Sequence, residues 1–181
     1  MKIGMILCFL ACASALSVAT ERQQGQDPRL GIAEGVISAF YTWDSDSLEQ
    51  SVVAGPDLDR VLYYQGWARA ANYAVQTRYP CAVNLMDVVV CSVTVTDDFG
   101  RTLGYTATDT FTLSIVDGRV VALSSQGDDP PVFWALIAWI TEHRPEVMQG
   151  PCEHYFSGGT TPGACAKAVV DSARIFVQLP R

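Results

Sequence analysis

The sequence lacks the short motifs that announce most catalytic chemistry. It contains no HExxH, GxSxG, P-loop or GxGxxG stretch, which removes the zincin, nucleophile-elbow and nucleotide-binding readings. Histidine is scarce, with two residues in 181. His143 sits at the end of an expected helix just before Pro145, where a cation is favourable. His154 lies in a Gly/Pro-rich loop. Both read as surface residues rather than as members of a Ser-His-Asp set. No CxxC pair occurs, and neither histidine has ligand spacing to a cysteine, so no metal site is expected. The Asp97-Asp98 and Asp128-Asp129 pairs sit at turns or helix starts, where Asp is common for local reasons. No EF-hand spacing follows them. No cofactor is expected either.

Basic residues are also few and scattered singly. The chain carries 12 Lys and Arg against 19 Asp and Glu, a formal charge of −7. Such an acidic surface is poorly suited to nucleic acid or anionic membranes. After the first residues, no run is long and apolar enough to span a bilayer.

The beginning is different. MKIGMILCFLACASALSVA has Lys2 as a minimal positive region, an apolar run to about Leu16, and small residues at Ser17-Val18-Ala19. This reads as a signal peptide over residues 1–19, and so as a secreted or periplasmic protein. Phe9-Leu10-Ala11-Cys12 offers a lipobox-like alternative, with a lipid anchor on Cys12. Residues 20–26, TERQQGQ, read as a flexible linker, and residues 27–181 as one domain. Four cysteines remain in it: Cys81, Cys91, Cys152 and Cys165. In an exported chain they read as two disulfides, with three possible connectivities. Sequence proximity favours Cys81–Cys91 and Cys152–Cys165.

The centre of the domain reads as a three-strand meander: VVVCSVTVT, YTATDTFTLSIV and RVVALSS. Asp117-Gly118 marks a type I′ hairpin, and Asp97-Asp98-Phe99-Gly100 a turn. Alternation puts Val89, Cys91, Val93 and Val95 on one face of the first strand. In the second strand Tyr105, Ala107, Asp109, Phe111, Leu113 and Ile115 share the apolar face. Asp109 is the exception in that set. A carboxylate facing a covered sheet must be paired, hydrogen-bonded or raised in pKa. Asp109 is therefore the one candidate for acid or base chemistry. The plainer reading leaves it wet or paired at the start of the strand.

Helices flank the meander. Asp27-Pro28 fits an N-cap and first turn, with Ile32, Val36, Phe40 and Trp43 as the buried stripe. Asp44 or Ser45 starts a short second helix. A third runs from Asp57 to about Thr77 and is apolar over a wide arc. Its Tyr63, Tyr64, Trp67 and Tyr73 read either as core or as the lining of a cavity. Tyr105 and Phe111 would belong to the same pocket. Ala82-Val83 is a short extended piece before the meander. Asp129 is expected to cap a helix carrying Phe133, Leu136, Ile137 and Ile140. Residues 145–161 read as irregular. Thr161-Pro162 begins a last helix with Cys165, Val169, Ala173 and Phe176 on one face.

With VISAFYTWDSDSLEQSVVAG, YTATDTFTLSIVDGRVVALSS and PPVFWALIAWITEHRPEV in this order, residues 30–180 resemble the NTF2-like (SnoaL-like) superfamily. The likeness is to its exported bacterial members of unassigned activity. The resemblance implies an α+β cone, a curved antiparallel sheet wrapped around a long helix with a pocket between them. Extra C-terminal helices would be added to that plan. Members include isomerases, dehydratases, cyclases and plain binding or dimerisation domains, so the fold leaves function open. The first expectation is a non-catalytic domain that binds a small apolar or amphipathic ligand, or a protein partner. A cofactor-free isomerase, dehydratase or cyclase using Asp109 is the second. A structural homodimerisation module is the third.

Overall fold

In a computed structural model, residues 27–153 and 162–180 are described. The expected signal peptide and linker, His154 and Thr161 lie outside them. The described chain is a mixed helical and antiparallel-sheet structure. Its order is α1 (Pro28–Tyr41), α2 (Ser45–Ser51), α3 (Pro56–Ala70), β1 (Ala74–Arg78), β2 (Ala82–Val83), β3 (Val89–Thr96) and α4 (Asp98–Leu103). There follow β4 (Ala107–Val116), β5 (Arg119–Gly127), α5 (Pro131–His143), α6 (Pro145–Met148) and α7 (Pro162–Phe176).

The helix starts obey local chemistry. The Asp27 carboxylate accepts from the Arg29 backbone N–H at 3.0 Å, and Pro28 occupies the first turn of α1. Asp44 caps α2 through the Ser47 N–H at 3.0 Å. Val36, Ile37 and Phe40 are buried on α1, while Ile32 is half-buried. Trp43 falls beyond the helix, in the left-handed region at φ 65°.

The third helix is shorter than its periodicity suggests. It stops at Ala70, and residues expected to continue it form β1 instead. Asn72 turns the chain through φ 54°, and β1 then pairs with β3, Val75 opposite Val95. The strand pairing overrides the helical stripe that Ala71 and Val75 would have extended. Two further expectations are corrected. Asp97 to Gly100 is the start of a helix, α4, with Asp97 as its N-cap and Gly104 closing it at φ 80°. Residues 145–148, expected to be irregular, form the single-turn helix α6.

The sheet runs β1-β3-β4-β5, with β2 also paired to β3, and all pairings are antiparallel. Asp117 and Gly118 both take positive φ, 49° and 78°, as a type I′ turn requires. Register shifts between Val75 and Thr77 and between Ser114 and Ile115 mark bulges, which bend a sheet. Along β3 the alternation is strict, with Val89, Cys91, Val93 and Val95 buried.

Two helices share the cover over that face. α1 packs on β3 and α3 on β5. Buried Gln65 ties the pair, its amide donating to the Ala39 carbonyl at 3.1 Å and the Phe40 carbonyl at 3.3 Å. This first core contains α1 to α3 and the sheet. A second core lies at the far end of α3, where Trp67 and Ala71 meet α5, α6 and α7. Cys81–Cys91 and Cys152–Cys165 are the disulfides, with Cα–Cα distances of 4.3 and 4.6 Å. Two disulfides mark a chain suited to an oxidising compartment. Among the described residues no helix is long and apolar enough to cross a membrane.

Candidate functional site

A cleft of about 290 Å³ opens where the two cores meet. Its wall takes Phe40 from α1, Tyr64, Trp67 and Ala68 from α3, and Asp109 and Phe111 from β4. Ser125, Gln126 and Gly127 at the end of β5, the following loop with Asp129, and Phe133 and Trp134 of α5 complete most of it, with Tyr73 and Phe99. The wall therefore consists largely of aromatic rings and two carboxylates.

The sheet register delivers Asp109. It sits opposite Val93 on one side and Gly127 on the other, on the same face of β4 as buried Phe111 and Leu113. Its partner comes from 68 residues away. Tyr41, the last residue of α1, donates its hydroxyl to Asp109 Oδ2 at 2.6 Å. The Tyr41 ring is braced edge-on by Phe40 at 4.9 Å and Phe111 at 6.1 Å.

Burial lifts the Asp109 carboxyl to about 6. The Tyr41 hydroxyl opposes that rise, and the negative charges of Asp129 and Asp128 add to it. Burial first, and then the pairing with Asp109, push the Tyr41 phenol well above its ordinary range. Asp129 is raised too, by burial first and by Asp128 second. Asp97 reaches about 7, again mainly through burial. The Gly100 N–H and Arg101 hold it down, and Asp129 and Asp109 push it up. Asp97 thus feels Asp109 and Asp129, and Asp109 feels Asp129, across this end of the sheet.

Gly127 lies beside two of them, Asp109 and Asp129. A Cβ there would lie 3.4 Å from Asp109 Oδ1 and 3.4 Å from Asp129 Oδ2. The missing side chain leaves those two oxygens facing a common gap. Asp128 has a different job, accepting from the Thr108 backbone N–H and fastening the loop to the start of β4.

The structure brings Asp109, Tyr64, Trp67 and Phe111 into one wall. Tyr63 and Tyr105 are not part of it. Tyr63 packs edge-on against Tyr64 at 5.4 Å, and Tyr105 packs on the second core. Tyr41 and Asp129 are the residues that sequence reasoning missed. Asp129 does not cap α5; Pro130 occupies that position, with no side-chain cap. The Asp129 carbonyl instead accepts from Trp134 Nε1 at 3.2 Å, and its carboxylate lines the cleft. An Asp-Asp-Pro-Pro string gives no sign of this. Nothing local pairs Tyr41 with Asp109. Among the described residues no cluster of His, Cys, Asp or Glu has the geometry to hold a metal ion. No family model, curated protein or solved structure matches the chain.

Proposed function

We propose that the chain is an exported NTF2-like domain that binds a small, largely apolar molecule in the cleft, with Asp109 as a polar anchor. The observation that carries this reading is the cleft itself. Its volume of about 290 Å³ is just under the roughly 300–1,000 Å³ usual for small-molecule sites, which suits a small ligand. An apolar wall with few convergent polar groups is also the usual composition of such a site. The bulged sheet, covered by α1 and α3, supports a cone-like architecture. The test is a screen of neutral aromatic fragments by amide NMR on the oxidised domain. Shifts are expected to concentrate at Ser125, Gln126 and Gly127. In a Gly127→Leu variant, whose side chain would fill the gap between Asp109 and Asp129, they disappear. No shift at those amides at millimolar fragment would overturn the reading.

A second reading has one specific observation behind it. A carboxyl held near 6 and hydrogen-bonded to a tyrosine inside an apolar cleft suits a general acid or base at near-neutral pH. In this reading the domain is a cofactor-free isomerase, dehydratase or cyclase. For any substrate found, Asp109→Asn is expected to lower kcat by about a hundredfold or more. Unchanged turnover would remove Asp109 from catalysis.

A further inference from the structure

The charge inside the cleft narrows the class of ligand. Asp109 and Asp129 turn carboxylate oxygens toward the same gap beside Gly127, and neither has a basic partner among the described residues. Among the described residues no Lys, Arg or His belongs to the wall. The guanidiniums that act on Tyr41 and Asp97 are engaged elsewhere. Arg78 pairs with Glu34 at 2.7 Å and Arg101 pairs with Asp98. The rings of Tyr64, Trp67, Phe111 and Phe133 line the same cleft, and an aromatic ring offers a cation the negative quadrupole of its face. Among the described residues no third acid, His or Cys joins Asp109 and Asp129 to make a metal-holding group.

From these juxtapositions, we propose that the cleft selects an organic ammonium: a positively charged nitrogen carried on an apolar body. The ammonium sits in the gap between Asp109 and Asp129, and the body lies against the aromatic wall. A neutral ligand would leave two like charges facing each other. An anion would add a third. A cation relieves the repulsion and gains the ring faces as well. This inference rests on the reading of the cleft as a small-molecule site and specifies what that site accepts.

The charge of the gap depends on pH. Asp109 faces Tyr41 from α1 and Asp128 and Asp129 from the loop before α5. Asp97 lies within electrostatic reach, with Arg101 beside it and Arg78 beyond Tyr41. Asp109 and Asp97 shed their protons as pH rises past about 6 and 7. A cation is therefore held more tightly at pH 8 than at pH 5.

The experiment titrates the oxidised domain with three phenyl-bearing probes of different charge: 2-phenylethylammonium, 2-phenylethanol and 3-phenylpropanoate. Binding is read by amide NMR at pH 8 and pH 5. The ammonium is expected to bind about tenfold more tightly than the alcohol at pH 8, with that preference shrinking at pH 5. The propanoate should bind most weakly. Asp109→Asn and Asp129→Asn should each erode the preference while keeping alcohol binding, which also shows that they remain folded. Alcohol or propanoate binding as tightly as the ammonium at pH 8 would overturn the inference and leave the cleft as a plain apolar site. A preference that ignores pH would overturn it as well. Binding of none of the three would sink both the inference and the reading it rests on.

Discussion

Asp109 and Asp97 are carboxyls whose folded environment favours the protonated form. That preference acts on stability with a definite sign. Between about pH 4 and pH 6 to 7, the unfolded chain has released these protons and the folded chain still holds them. Stability therefore falls as pH rises through that window. Asp27, Asp44 and Asp98 act in the other direction, since hydrogen bonds hold them below the usual value. Their contribution is lost only as pH falls below about 4, and it is small because these groups are largely solvated. The melting temperature of the oxidised domain should thus peak near pH 4 to 5 and decline toward pH 7.5. The net charge of −7 also favours such a decline through self-repulsion, so a variant must separate the two. In Asp97→Asn/Asp109→Asn the asparagine at 97 keeps the helix cap, and the amide oxygen at 109 can still accept from Tyr41. The decline should flatten markedly, as followed by circular dichroism at pH 4.5 and 7.5. An equally steep decline in the double variant would mean that neither carboxyl is desolvated as described.

At the scale of elements, what was legible in the sequence was whatever chemistry kept local. The alternation of β3 and β4 and the Asp117-Gly118 turn needed no distant partner. The same logic singled out Asp109, a carboxylate at a position where its neighbours two residues away are apolar. The end of α3 was not legible, because its cause is tertiary. Asn72 is held in its left-handed conformation by donating to Asp98 Oδ2 at 2.6 Å, while the Asp98 N–H reaches the Ala71 carbonyl at 2.9 Å. Asp98 makes both contacts from 26 residues beyond Asn72, so in the sequence Ala71 and Val75 read as further turns of helix. α4 escaped notice because six residues are too few to show a helical period. The cleft was half legible. The aromatic positions on α3 and β4 could be named, but Tyr63 and Tyr64 are adjacent, and only packing decides which faces the gap. Tyr41 and Asp129 required the fold, since each joins the site through a neighbour on another element.

The molecule as a whole is two cores joined along α3, with the cleft at the join. The disulfides are distributed between them. Cys81–Cys91 belongs to the first core, with Cys91 opposite Phe111 in the sheet, and Cys152–Cys165 to the second. They close loops of similar length, with sequence separations of 10 and 13. The chain-entropy account therefore assigns them similar worth, on the order of 3 kcal/mol each. Their location should separate them. α7 buries Cys165, Ala166, Val169, Val170 and Ala173 and packs on α3, α4, α5 and α6. The Cys152 bridge thus tethers the helix that backs Phe133 and Trp67, the cleft's second wall. Cys152→Ala/Cys165→Ala should speed amide hydrogen exchange in α5 and α7 while β3 and β4 stay protected, and it should weaken probe binding in the cleft. Cys81→Ala/Cys91→Ala should cost comparable global stability, read from the denaturation midpoint, yet leave cleft binding close to that of the parent. If the two variants behave alike in exchange and in binding, the two cores unfold as one unit and the cleft does not depend on a separately secured C-terminal wall. If they differ as expected, the second core is the adjustable half of the site, held in place against the more rigid sheet by one covalent link.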